Sequence, residues 1–356
     1  MKTRYLLVSI FFLATSFYFT LNLWGDSVYK GEPSDHFDGS HFHNLYKEGA
    51  ETYLSTLGEL ATDWQGLGPW DEVKNTVYAI PETRVYGDSF KVTFINHSTA
   101  LIQTSGLNIL TDPIWSDYSG PYPLLSPSRY RPPGVAFDDL PPIDVVVVSH
   151  SHYDHMDLAT LKRLSDRFHP QIFVGLGNAS LLEEQGITQV KELDWWSSFH
   201  LGQGVDVIGV PAQHWSRRGV VDKDKRLWLG FLFNTAHGKY YFAGDTAMGP
   251  HFKMLQERYG SVRVALLPIG AFRPQAIMQR SHLSPDQALE AHDILQSKVS
   301  IAIHYGTFRL GLDGQYEAVD RLAALLKQRN SNNNPTDFRV LDFGESIELG
   351  GGSVDD

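Results

Sequence analysis

The chain has 356 residues, 42% hydrophobic and 20% charged, which suits a folded protein with a large core and not a disordered one. Its 30 Lys and Arg against 41 Asp and Glu leave a formal net charge of −11, a poor balance for gripping a phosphate backbone, so no nucleic-acid partner is expected. With no cysteine, disulfides, thiolate metal sites, cysteine nucleophiles and cysteine-linked lipids are excluded, and any metal must be held by His and carboxylate.

Lys2 and Arg4 precede an uncharged run from Tyr5 to Trp24. That length suffices to cross a bilayer as a helix, and the basic flank favours an N-in orientation. Residues 1–24 are therefore read as a signal anchor, with a cleaved signal peptide as the alternative. The catalytic part is then expected outside the cytoplasm or at a membrane surface; in a bacterium, on the periplasmic side of the inner membrane. Residues 25–85 read as a polar lead-in, with a short amphipathic helix over 47–64 broken by Gly66, Gly68 and Pro69.

From residue 86 to about 350 the pattern is that of one layered domain. Residues 89–115 read as strand, turn, strand, with the turn at Thr104-Ser105-Gly106. A Pro/Gly loop follows and carries Arg129 and Arg131, which could meet a phosphate or simply be solvated. Residues 143–148, apolar but for Asp144, form a strand of the type buried on both faces. Asp157 is placed to cap a helix over 158–168, where Leu161, Leu164 and Phe168 have helical spacing. A strand at 171–176 and a short helix ending near Gly186 come next, then strands at 205–215, 227–235, 239–246 and 263–270. Ser284, Pro285 and Gln287 mark the start of a helix with a capping box. A strand at 299–308, a long helix over 316–330, an asparagine-rich surface loop at 330–335 and strands over 337–349 complete the chain. Apolar strands with helices between them imply an α/β layered fold. The tight strand pairs argue against an all-parallel sheet, so two mixed β-sheets packed together with helices outside are expected.

The stretch Val145 to Asp157, VVVVSHSHYDHMD, carries the strongest chemical signal. His150 and His152 are two apart, so in extended backbone at a strand end their rings share a side. The chain then turns, which lets Asp154 and His155 face the same space. So many polar groups at the end of a buried strand are costly without partners, and a cation is a natural partner for neutral imidazole and carboxylate. Three more ligand types directly follow apolar runs: His214, Asp245 and His304. Taken singly, each is ordinarily a satisfied structural residue or a turn residue; beside the dense cluster they gain meaning together. Of lesser weight are His282, two residues before the helix cap; Asp112, placed to orient a ligand imidazole or to begin a turn; His97, near the site or bonded in the core; and Asp194-Trp195-Trp196, an apolar wall or ordinary packing.

SHSHYDH resembles the signature of the metallo-β-lactamase superfamily. LTDPIW, ELDWW, PAQHW, FAGDT, HLSPDQA and AIHYGTF follow the order found in its N-acylphosphatidylethanolamine-hydrolysing phospholipase D family, and the likeness runs over roughly residues 85–347. The resemblance implies a four-layer αββα sandwich and two zinc ions, other divalent metals being open. It implies that His150, His152 and His214 hold one ion, that Asp154, His155 and His304 hold the other, and that Asp245 bridges. Asp154 and Asp245 are then catalytic as well as ligating, and His282, from its place just before the helix cap, is the further catalytic candidate, a surface-loop histidine being the alternative. The implied reaction is phosphodiester hydrolysis by hydroxide held between the zinc ions, giving phosphatidic acid and an N-acylethanolamine from a phospholipid at a membrane surface. The alternative is a metal-dependent lactonase or other small-molecule metallohydrolase of the same fold, and a homodimer is left open.

Overall fold

β1 (Phe90–Asn96), β2 (Thr99–Thr104) and β3 (Leu107–Thr111) form an antiparallel meander with turns at 97–98 and 105–106. β4 (Val145–Val148), β5 (Gln171–Gly175) and β6 (Val190–Leu193) extend it in parallel, with α1 (Leu158–Phe168) and α2 (Ala179–Glu183) as crossovers. The second sheet begins with an antiparallel run: β7 (Ser198–Gly202), β8 (Val205–Val210), β9 (Gly230–Thr235) and β10 (Gly238–Phe242). Past α3 (His251–Tyr259) it turns parallel through β11 (Val264–Pro268), then α4 (Gln275–Met278), α5 (Pro285–Ile294), β12 (Val299–Ile303), α6 (Glu317–Ser331) and β13 (Phe338–Arg339). β14 (Ser346–Leu349) returns to pair with β1. Each sheet has seven strands and is half antiparallel, half parallel. This computed structural model describes residues 29–46, 70–75, 78–333 and 335–350. The apolar run from Tyr5 to Trp24 and the helix expected over 47–64 lie outside them. Among the described residues no helix is long and apolar enough to cross a membrane.

The αββα layering follows from which faces are apolar. Val145 and Val147 point into the layer between the sheets, against a core that includes Phe231, Phe233 and Phe242. Val146 and Val148 point outward into a cluster with Leu161 and Leu164 of α1. A strand covered on both faces has no position for a polar residue, which explains the run of valines. Each such side chain contributes roughly 1.5–3 kcal/mol of burial free energy. α3, α5 and α6 cover the far side of the second sheet with an apolar cluster of their own.

Local signals mostly hold, with instructive differences. Ser284 accepts from Gln287 N at 3.3 Å while Gln287 Oε1 accepts from Ser284 N at 3.0 Å, a complete capping box at α5. Asp157 sits at the N-cap of α1, but its carboxylate accepts from Thr160 Oγ1 and Ser116 N instead of from the helix backbone. The asparagine-rich stretch does not begin as a loop: Asn330 and Ser331 still belong to α6, whose last turn continues the preceding helix-forming run. β6, β7 and α3 had no clear sequence signal, being short and half polar.

Part of the polar lead-in is folded onto the domain. Residues 29–46 form a strap held by a Phe37–Phe42 bridge, and both rings join the core between the sheets. His36 is buried, stacks on Trp195 at 4.3 Å, and reaches Asp35 at 2.6 Å and Asp194 at 2.8 Å. Trp195 is therefore core packing, as Asp194-Trp195-Trp196 was expected to be by default.

Burial by itself lowers the His36 pKa, but the hydrogen bonds to Asp194 and Asp35 outweigh it and leave the pKa raised. The contact is then at full strength below the ordinary histidine value and is lost as pH rises through the raised one. Because the carboxylates are largely exposed, unfolding of wild type and His36→Gln should differ by only about 0.5–1 kcal/mol at about pH 5, and the difference should shrink toward about pH 9. Denaturant titrations across that range measure it, and a difference that ignores pH would remove the ion pair from the account.

Candidate metal centre

The cluster forms where strands of both sheets end at a common edge. β4 stops because Ser149 N donates to Asp112 Oδ1 at 2.6 Å instead of to a neighbouring strand. The chain then makes one turn, with Met156 N donating to His152 O, and this swings Asp154 and His155 back toward His150. β8 stops at Pro211, which has no N–H to continue the ladder, and His214 follows. Asp245 follows β10 through Gly244, whose φ is +60° and where a Cβ would lie 2.4 Å from Ser149 Cβ. His304 follows β12 at φ 63°, with its carbonyl against Gly270. All of these side chains are buried except His152, which is partly covered.

Hydrogen bonds on the far side of three rings decide which nitrogen faces inward. His155 Nδ1 donates to Asp112 Oδ2 at 2.6 Å. His214 Nδ1 donates to Ser281 O at 2.8 Å. Ser149 Oγ donates to Asp112 Oδ2 and so accepts from His150 Nδ1 at 2.9 Å. With the proton held at Nδ1, each of these rings turns a bare Nε2 lone pair into the cluster. His150 Nε2 and His214 Nε2 then lie 2.8 and 3.2 Å from His152 Nδ1.

Two ligand groups result. The donor atoms of His150, His152 and His214 lie within 4.8 Å of one another, and so do those of His97, Asp154, His155 and His304. Asp245 stands between them: its Oδ2 is 3.1 Å from His304 Nε2, 3.2 Å from His155 Nε2, 3.7 Å from His282 Nδ1 and 3.9 Å from His214 Nε2. All seven sequence-identified ligands are brought together. Of the two readings left open for Asp112, the structure favours the orienting carboxylate, because its Oδ2 accepts from His155 Nδ1.

The electrostatics are those of a cation site. His155 Nε2, His304 Nε2, His282 Nδ1 and Asp245 Oδ1 are buried with no hydrogen-bond partner, although oxygen lies within ion-pair distance of each of these nitrogens. Buried nitrogen and oxygen atoms that approach without forming aligned hydrogen bonds leave a common point to be filled, and the oxygen and imidazole set fits a divalent cation that would displace the protons of His155 and His304. Burial pushes the pKa of His150 and His214 well below the usual histidine value and that of His152 to about 4, so all three are neutral, the form in which imidazole can bind a cation. Burial opposes charge on His155 and His304 too, but Asp245 and Asp154 overcome it; His304 is raised to about 9 and His155 well above normal. The same attraction holds Asp245 and Asp154 ionised despite burial. Without metal, protons on His155 and His304 take the balancing positive charge.

Sequence reasoning left some positions unsettled and missed others. His97, at the β1–β2 turn with φ 48°, donates from Nε2 to Asp154 Oδ2 at 2.9 Å; it is both in the core and against the centre. His282 lines a cavity of about 790 Å³ that opens on the His214 side of the centre. Arg129 is neither solvated nor free for phosphate: it donates to Ser116 O, Ile114 O and Asn96 Oδ1 and lies over Phe308. Arg131 pairs with Asp342 at 2.6 Å over Phe343. Arg218 carried no warning in sequence, yet its buried guanidinium donates to Ser151 O and Met156 O and clasps both ends of the ligand loop.

Comparison with known proteins bears on family and fold. A family profile described as a beta-lactamase superfamily domain matches residues 107–305. The chain is 37% identical over 268 residues to an N-acyl-phosphatidylethanolamine-hydrolyzing phospholipase D 1 of Caenorhabditis elegans, covering 72% of this chain and 75% of that one. It is 32% identical to the mitochondrial N-acyl-phosphatidylethanolamine-hydrolyzing phospholipase D of Saccharomyces cerevisiae, over 65% of this chain and about half (51%) of that longer protein. Among solved structures, a metallo hydrolase of the archaeon Ignicoccus hospitalis superposes with a TM-score of 0.55 at 21% identity, covering 73% of this chain and 98% of that one; this likeness concerns the fold.

Asp112 ties His155 and, through Ser149, His150 into one network. Asp112→Asn should therefore weaken divalent-metal binding about 10–100-fold, measured by competition with a chelator. Unchanged affinity would mean that the two rings are held by packing alone.

Proposed function

The chain belongs to the beta-lactamase superfamily and is a metal-dependent hydrolase, and from that premise we propose that it is a zinc-dependent phosphodiesterase of phospholipase D type. Its proposed substrate is N-acylphosphatidylethanolamine, cleaved by water to phosphatidic acid and N-acylethanolamine. The observation that carries the reading is the pair of ligand groups meeting at Asp245 beside a large cavity with aromatic walls and a basic rim. The substrate is suggested by the name of the worm relative.

His150, His152 and His214 would hold one ion, and Asp154, His155 and His304 the other, with Asp245 shared between them. Bound there, two divalent cations supply charge neutralisation at phosphoryl oxygens and a lowered pKa for a water molecule. The protein's own part is positioning. Asp245 and Asp154 stay ionised and keep the two groups of imidazoles in register. His282, neutral because burial brings its pKa to about 4, lines the cavity and turns a buried Nδ1 toward Asp245 Oδ2, 3.7 Å away, so its ring stands where the cavity meets the centre and would contact a phosphoryl or leaving oxygen drawn there. Trp215 packs on His152 at 4.3 Å with Lys223 over its face, so an apolar wall and a cation stand side by side at the mouth. Arg217 adds a second cation to that rim.

A membrane surface is the proposed setting. Val220 and Val221 are 47% and 45% exposed in the loop that carries Arg217 and Lys223. Exposed apolar residues flanked by cations suit a lipid interface, with methyl groups entering the acyl boundary and cations meeting anionic headgroups.

Two experiments test these readings. Full-length protein loaded with zinc should release N-acylethanolamine from N-acylphosphatidylethanolamine, and Asp245→Asn should lower that rate about 100-fold or more. Turnover of lactones with none of the phospholipid would reassign the chain to the lactonase alternative. For the interface, Val220→Asp with Val221→Asp should slow hydrolysis of substrate held in anionic vesicles several-fold and spare a short-chain, water-soluble analogue. Equal loss on both would place the loop in the reaction itself.

A further inference from the structure

We propose that Asn44, on the strap that precedes the hydrolase domain in sequence, is a positioning residue for the metal-ligating His214, so that residues 29–46 complete the metal centre. The inference rests on the reading of His214 as a ligand. His214 lies beyond Pro211, where β8 has ended, and its peptide groups have no strand to pair with. Asn44 supplies both missing partners. Its Nδ2 donates to His214 O at 2.8 Å, and its Oδ1 accepts from His214 N at 3.1 Å. The same Oδ1 accepts from Trp228 Nε1 at 2.9 Å, so the amide is fixed against a buried indole. One planar amide thus clamps the His214 backbone while Ser281 O holds the ring from its far edge.

The chemistry selects asparagine. Only a primary amide presents a donor and an acceptor side by side, and Asn has the shorter stem. Leaving both peptide groups buried and unpaired would be costly, so the backbone of His214 would shift to find other partners, and its Nε2 would move with it. The strap is built to resist that shift. Phe42 N donates to Asp224 O at 2.7 Å, Gln213 Nε2 donates to Tyr46 O at 3.0 Å, and the Phe42 ring is fully buried. Phe42 and Tyr46 also line the cavity, so the segment that aims the ligand forms one wall of the substrate space.

The test uses the full-length chain stripped of metal and titrated with Co2+ or Zn2+ against a competing chelator. Wild type should take up two equivalents. Asn44→Ala should lower the affinity of one of them about tenfold or more and alter the visible spectrum of the Co2+ form, with the affinity of the other equivalent little changed and the melting temperature of the metal-free protein lowered by a few degrees. Asn44→Asp, which keeps the acceptor but sets a carboxylate oxygen against His214 O, should fall at least as far. If Asn44→Ala binds two equivalents with wild-type affinity and spectrum, or if both affinities and the metal-free melting temperature fall together, the proposal is overturned and Asn44 is only structural. A wild-type chain that takes up no metal would overturn the reading of His214 as a ligand, and the proposal with it.

Discussion

One carboxylate oxygen organises this molecule. Asp245 Oδ2 lies within 4 Å of nitrogens from His155, His214, His282 and His304, all of them shielded from bulk water. Imidazoles crowded in a low-dielectric space repel when protonated and leave unpaired lone pairs when neutral, and a lone carboxylate there is costly as well. The cluster persists because the charges are matched. Asp154 and Asp245 offset the positive form of His155 and His304, and the remaining rings stay neutral. A bound cation satisfies the same balance with ligand bonds in place of protons.

That balance requires the ligands to arrive from separated parts of the chain at fixed positions, which is what two half-parallel sheets provide. Strand ends β4, β8, β10 and β12 reach a shared edge, and each is anchored by a core buried on both faces. Each group draws on both sheets: His150 and His152 of the loop after β4 meet His214 beyond β8, and Asp154 and His155 of the same loop meet His304 beyond β12, with Asp245 at the join. Beneath them Asp112 grips Ser149 and His155, so the turn after β4 is held by side chains where the backbone ladder has stopped. Arg218 and Asn44 do the same from above, each donating to main-chain oxygens in the ligand loops.

Much of this could be read in the sequence, for definite reasons. VVVV followed by SHSHYDH announces a doubly covered strand and its ligands because periodicity and composition are local properties. His214, Asp245 and His304 could be recognised because each breaks an apolar run at its end. What stayed hidden depends on contacts between distant residues. Nothing near Asn44 hints at His214, 170 positions away. Arg218 resembles surface charge until its carbonyl partners are in view, and Arg129 resembles a phosphate ligand until its guanidinium is found among backbone oxygens. His97 could be suspected of either role because a turn histidine has no pattern of its own, and it fills both.

The backbone around the ligands carries a constraint of a different kind. His97, Asp112 and His304 all occupy left-handed conformations, while Gly244 and Gly270 leave no space for a Cβ. β-branched residues are penalised at the first three positions and any side chain at the last two. Lineages descended from a common ancestor would therefore keep this frame almost unaltered and explore new substrates elsewhere. Apart from Asn44, Arg218 and Ser281, which hold the ligands, the strap over 29–46 and the loops over 215–226 and 271–283 surround the cavity and belong to no sheet, so they are where new specificities can accumulate while the metal frame stays the same.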